Sequence, residues 1–122
     1  MTTIPDTDPA TAALEPAEIA VVEITGSVGG PVTLSARGEL GADVTDRFAA
    51  VAHATIDRAR TATEVIIDLT AVTYLSLESL TALVKLARGC DVAGVPLRMH
   101  PSLIARSKIR QTGLDTLFAL SP

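Results

Sequence analysis

One short run near the middle of the chain constrains the fold more than any other feature. Val65-Ile66-Ile67-Asp68-Leu69 is mostly apolar and too short for a buried helix, which suits a strand in the middle of a sheet, buried on both faces. A strand of that kind must be covered, and the segments before and after it carry helical periods. Upstream, Val44, Phe48, Val51, Ala52, Ile56 and Ala59 repeat at the spacing of an amphipathic helix running to about Arg60, with Asp43 placed to cap its N-terminus. Downstream, Leu80, Leu83, Val84, Ala87 and Cys90 repeat in the same way and end at Gly94, just before Pro96. The core between these layers is aliphatic, because aromatics make up only 2% of the chain (Tyr74, Phe48 and Phe118).

The remaining elements follow from turn chemistry. Residues 19–25 are β-prone, Gly26-Ser27-Val28-Gly29-Gly30 supplies a turn, and 32–37 alternate apolar and polar, which together predict a hairpin. Ala71 to Leu80 reads as a loop passing directly into the second helix. Val95–His100 is a further strand, Pro101-Ser102 opens a third helix through Ile109, Gly113 breaks it, and Leu117–Leu120 is an edge-strand candidate. The order β-β-α-β-α-β-α predicts an α/β domain with a mixed sheet flanked by helices. Residues 1–18, rich in Thr, Pro, Ala and Asp and without a helical or strand period, read as a flexible N-terminal tail, leaving one domain over 19–122.

Charge is distributed unevenly. The tail holds Asp6, Asp8, Glu15 and Glu18 with no Lys or Arg, so the whole net charge of −4 sits there and the rest of the chain is neutral. Between Val92 and Leu114 every charged residue is basic (Arg98, Arg106, Lys108 and Arg110), which fits either a solvated face balanced by acids elsewhere or a surface turned to an acidic partner. Overall neutrality and the scarcity of aromatic stacking platforms speak against nucleic acid as a partner. A single cysteine, Cys90, excludes an internal disulfide and a thiolate zinc cluster, and no apolar run approaches the roughly 18 residues of a membrane span. With no basic-then-apolar leader at the start, the expected compartment is the cytoplasm, with no direct membrane insertion.

Catalytic patterns are scarce. His53 lies mid-helix, His100 ends a strand, and neither joins a His, Cys and Asp cluster of metal spacing. Cys90 falls on an apolar stripe, where a free thiol behaves as a small hydrophobe. The glycines at 26–30 lack the Lys and hydroxyl of a phosphate loop and precede no helix, so no cofactor, metal or enzyme activity is implied. The junction before the second helix says more. Ser76 can cap that helix, Leu77 and Glu78 fill its first turn, and Glu78 suits the positive end of the dipole. Such a start is a natural docking place, although an ordinary cap explains the same residue types.

This arrangement resembles the STAS family, the domain of anti-sigma-factor antagonists and of anion-transporter tails. The likeness covers about residues 31–120 and rests on Gly38-Glu39-Leu40, the strand Val65–Leu69 with Val72-Thr73-Tyr74-Leu75, the helix from Leu80, and Thr112-Gly113-Leu114. It implies a single STAS-like domain acting in partner switching. An antagonist of this family binds a kinase-like anti-sigma factor, so releasing a sigma factor for transcription, and is switched off when a serine at the start of the second helix is phosphorylated.

Carried over residue by residue, the family pattern Asp-Ser-Ser/Thr-Gly-Leu falls on Ser76-Leu77-Glu78-Ser79-Leu80. Leu77 therefore stands at the phosphoacceptor position, Ser76 replaces the aspartate, and Gly41 replaces the aspartate that follows Gly-Glu-Leu. Without a hydroxyl Leu77 cannot accept phosphate, which would leave the protein permanently active. Alternatively Glu78, a weak mimic with one negative charge against about −1.5 to −2 for a phosphate, holds it in an off-like state. Ser76 and Ser79 are the neighbouring hydroxyls that offer substitute phosphorylation sites. The expected partner-binding residues are Glu39, Ser76, Leu77, Glu78 and Ser79, and the expected partner is a kinase-like anti-sigma factor. A cytoplasmic accessory subunit of a membrane transporter is the other reading.

Overall fold

A computed structural model describes residues 20–118. The segment 1–18, read as a tail, lies outside them. The described chain runs β1 (Val21–Gly26), β2 (Val32–Leu40), a 3-10 turn (Ala42–Val44), α1 (Thr45–Ala59), β3 (Val65–Leu75), α2 (Leu77–Ala93), β4 (Leu97–Pro101) and α3 (Leu103–Gln111). The strands lie side by side in the order β1-β2-β3-β4, with β1 antiparallel to β2 and both other pairs parallel. The mixed sheet with flanking helices is thus the architecture that the order of elements predicts.

The core lies against one face of the sheet. Leu34, Ile67 and Met99 stand in register across β2, β3 and β4, all fully buried, and join Phe48, Leu83, Leu86 and Ile109 from the three helices in one cluster. On the other face Glu23, Ser35, Asp68 and His100 form a row across all four strands, none of it in the core. The expectation that Val65–Leu69 is buried on both faces is therefore corrected: Ile66 and Asp68 are only half-buried, because the helices pack as a single layer on the side of Val65, Ile67 and Leu69. Its central position between two parallel neighbours holds.

β3 also runs further than expected. It continues to Leu75, through residues read as loop, because pairing with β2 extends to Leu40 opposite Leu75. Its register steps twice: from Ser35 opposite Asp68 to Arg37 opposite Ala71, and from Gly38 opposite Val72 to Glu39 opposite Tyr74. Each step inserts one extra residue into β3, so its buried residues beyond Leu69 are Val72 and Leu75, a spacing of three that disguises a strand. At the first step Asp68 Oδ1 accepts from the Thr70 amide (3.0 Å) and hydroxyl (2.7 Å), which stabilises the bulge locally.

Two element ends differ from the expectation. Asp43 does not cap α1: it sits inside the 3-10 turn, where the Val44 amide donates to the Gly41 carbonyl (3.2 Å), so Val44 takes the cap position with no side-chain bond. Leu117 and Phe118 form no strand, Phe118 instead burying its ring in the core, and residues 119–120 lie outside the described chain. Elsewhere the terminators match, with Gly94 in the left-handed conformation (φ +72°) closing α2 and Ser102 capping α3 through the Ala105 amide. Where α1 crosses α2, a Cβ added to Gly89 would lie 2.9 Å from Ile56 Cγ2, so the absence of a side chain sets how close the helices come.

Candidate functional site

The start of α2 is fastened to the end of β2. The Ser76 amide donates to the Leu40 carbonyl (2.9 Å), and Ser76 Oγ accepts from the Ser79 amide (3.1 Å), an N-cap of the expected kind. Ser76 Oγ in turn donates to Ser79 Oγ (3.1 Å), which donates to the same Leu40 carbonyl (3.2 Å). Both serines are buried, Ser76 at 4% exposure and Ser79 at 0%. Their hydroxyls face inward and are bonded, so a kinase would reach either one only after the first turn of α2 opened.

Leu77 has the opposite disposition. It is 58% exposed at the first helical position, followed by exposed Glu78. Tyr74, three residues earlier, is 47% exposed and pairs with Glu39 on β2. Sequence reasoning missed Tyr74 by placing it in a loop; its position next to buried Leu75 at a strand end is the signal that would have found it. Glu39, expected beside the helix start if β2 ended there, is one residue from the carbonyl that holds Ser76 and Ser79. The structure therefore brings all five expected residues to one end of the sheet, three outward (Glu39, Leu77, Glu78) and two inward (Ser76, Ser79).

Four carboxylates lie in the segments around the helix start, with Arg37, Arg47 and Lys85 directly flanking them. Glu39, Asp43 and Asp46 lie in the segment from Gly38 to Asp46, Glu78 lies between Tyr74 and Val84, and neither segment contains a Lys or Arg. Asp43 Oδ1 sits 3.2 Å from where a Gly41 Cβ would be, and the Tyr74 ring 3.9 Å from it, so a side chain at 41 would crowd both. Beside Glu78 a shallow depression of about 320 Å³ opens between the helices, lined by Ala49, His53 and Ile56 of α1 and by Thr81 and Lys85 of α2. His53 is exposed and His100 half-buried, far apart in the topology. Cys90 is buried, and burial pushes its thiol up to about 11. Among the described residues no group of His, Cys, Asp and Glu is gathered as a metal site requires, and no helix is long and apolar enough to cross a membrane.

Solved structures give the geometry its context. An anti-sigma factor antagonist from Mycobacterium paratuberculosis superposes with a TM-score of 0.74 at 21% identity, over 85% of this chain and 86% of that one. The unphosphorylated form of the anti-sigma factor antagonist SpoIIAA gives 0.67 at 12% identity, over 84% and 89%. The fold is that of the STAS domain. Murine Slc26a9, an anion transporter, matches with a TM-score of 0.66 at 14% identity, over 93% of this chain but 22% of that one, so the shared fold is a small part of that protein. No family model and no curated sequence matches the chain.

Proposed function

We propose that this STAS domain is a non-catalytic regulatory module of the anti-sigma-factor antagonist kind, which binds a kinase-like anti-sigma factor through the start of α2 and acts in the cytoplasm by partner switching. The observation that supports this reading is the division of labour at the helix start, where Leu77 is 58% exposed while Ser76 and Ser79 are turned inward. In that arrangement Leu77 is the apolar anchor and Glu39 and Glu78 set orientation, since anchors supply most interface energy and flanking charges mainly select. Ser76 and Ser79 hold the turn in shape from beneath. With leucine at the phosphoacceptor position and both adjacent hydroxyls bonded inside, binding is constitutive rather than phosphate-gated.

Leu77→Asp tests this. The variant keeps its fold by circular dichroism, because the side chain is largely in water, and loses about 2 kcal/mol of affinity for a kinase-like anti-sigma factor, a hot-spot loss of roughly 30-fold. A folded variant with unchanged affinity removes this surface from the interface. A second reading, an accessory subunit of a membrane transporter, draws on the transporter match over 93% of this chain. Co-purification with a transporter instead of a sigma-regulating kinase would favour it.

A further inference from the structure

The face of the sheet turned away from the helices carries a charge pattern of its own. Register places on it the row Thr25, Thr33, Ile66 and Arg98, then the row Glu23, Ser35, Asp68 and His100, and then Arg37 beside Ala71. Glu23, Arg37 and Arg98 are exposed, and Ser35, Asp68 and His100 are half-buried. Among the described residues, Glu23, Arg37, Arg98 and His100 have no side-chain hydrogen bond or ion pair. Acid and base are segregated across this face. The β1 edge presents Glu23 and the β4 edge presents Arg98 and His100, while in the middle Asp68 of β3 lies one row from Arg37 of β2.

We propose that this face docks a second copy of the same chain, sheet stacked on sheet about a two-fold axis parallel to the strands. Such an axis keeps each row level and reverses the strand order, so β1 of one copy lies over β4 of the other and β2 lies over β3. Glu23 then meets His100 and Arg98 of the second copy, Asp68 faces Ser35 with Arg37 one row away, and no two like charges are directly opposed. An axis across the strands would instead set β1 on β1 and β4 on β4, acid against acid and base against base. Stacked sheets cross at about 30°, which moves an edge strand by roughly half a row and leaves Glu23 within reach of the basic pair. The face is small. Four strands by the stretch of β2 from Thr33 to Glu39 measure roughly 19 by 23 Å, about half of the roughly 800 Å² per partner in a standard interface, so the dimer is weak and its subunits exchange. Because the axis runs along the strands, both copies turn the start of α2 to the same end of the dimer and offer two Leu77 sites side by side. That consequence rests on the proposed function, whereas the association itself does not.

The test is sedimentation velocity of the full chain alone, from about 10 μM to about 1 mM at about 0.02 M salt, where charge pairs are least screened. The sedimentation coefficient of the wild type rises with concentration. Glu23→Arg and Arg98→Glu/His100→Glu each weaken self-association several-fold while keeping the wild-type circular dichroism. Mixing the two variants restores association, because both contacts across the axis are again opposite in sign, and so does placing all three substitutions in one chain. A wild type that stays monomeric at about 1 mM would overturn the proposal and leave this face to a different protein. Self-association that ignores both reversals would overturn it too, assigning the contact to another surface. A folded triple variant that stays as weak as the single reversals would reject the pairing of β1 with β4.

Discussion

Replacing Ser76 by alanine separates the structural role of the helix start from its proposed binding role. The substitution removes the acceptor of the Ser79 amide, and Ser79 is fully buried, so no water takes the place of the lost oxygen. A lost serine cap costs about 1 kcal/mol, and a buried N–H left unsatisfied adds on the order of 1 kcal/mol, for a combined loss of about 2 kcal/mol. Ser79→Ala is milder. Two hydroxyl bonds go, Ser79 Oγ to the Leu40 carbonyl and Ser76 Oγ to Ser79 Oγ, but the Leu40 carbonyl keeps the Ser76 amide as donor, Ser76 Oγ keeps the amide of residue 79, and the released Ser76 hydroxyl can rotate where a backbone N–H cannot, so the expected loss is about 1 kcal/mol. Urea unfolding followed by circular dichroism reads both, with the m-value unchanged if the native and unfolded states keep their exposed surface. In a domain of this size the larger loss lowers the thermal midpoint by roughly 8–16 °C. If Ser76→Ala costs no more than Ser79→Ala, or either costs nothing measurable, the bonded serine pair does not hold the helix start and the reasoning fails.

Gly89→Ala destabilises by about 1 kcal/mol, overpacking against Ile56 outweighing the gain in helix propensity; in an Ile56→Ala background the penalty disappears, and equal penalties in both backgrounds would show that the helices do not meet there. Because burial raises the Cys90 thiol to about 11, the folded state resists ionisation that the unfolded chain undergoes from about 9. Stability is therefore full below pH 9 and falls as pH rises towards 11, and Cys90→Ala flattens that slope; an unchanged slope would place the titration elsewhere. Incubation with a kinase-like anti-sigma factor and ATP leaves the wild type unlabelled by mass spectrometry, and stoichiometric phosphate on Ser76 or Ser79 would show that the first turn of α2 opens readily.

The sequence carried the order of elements because its strongest signals are local. Ser76, Gly94 and Ser102 mark helix ends through chemistry that tertiary packing does not override, and Phe48 through Ala59 keep one helical period. The second half of β3 was illegible for a physical reason: its two extra residues exist only relative to β2, and the resulting spacing of Leu69, Val72 and Leu75 matches neither strand nor helix. Asp43 misled for a related reason, a good capping residue standing one residue too early because the Gly41 carbonyl had already organised a tighter turn. At the candidate site, residue types alone could not tell Ser79, which is sealed inside, from Leu77, which faces water. That difference follows from the reach of the Leu40 carbonyl across 39 positions of sequence.

The unequal lengths of the parallel strands shape how anything can approach this molecule. β3 pairs with β4 only as far as Leu69 and then runs on through Leu75, six residues that, with two of them in bulges, advance roughly 13 Å beyond its neighbour. Leu77 consequently starts α2 at an end of the sheet that β4 does not reach, beside a stretch of β3 that has a strand partner on one side only. A partner protein can reach Leu77 without first meeting the β4 edge.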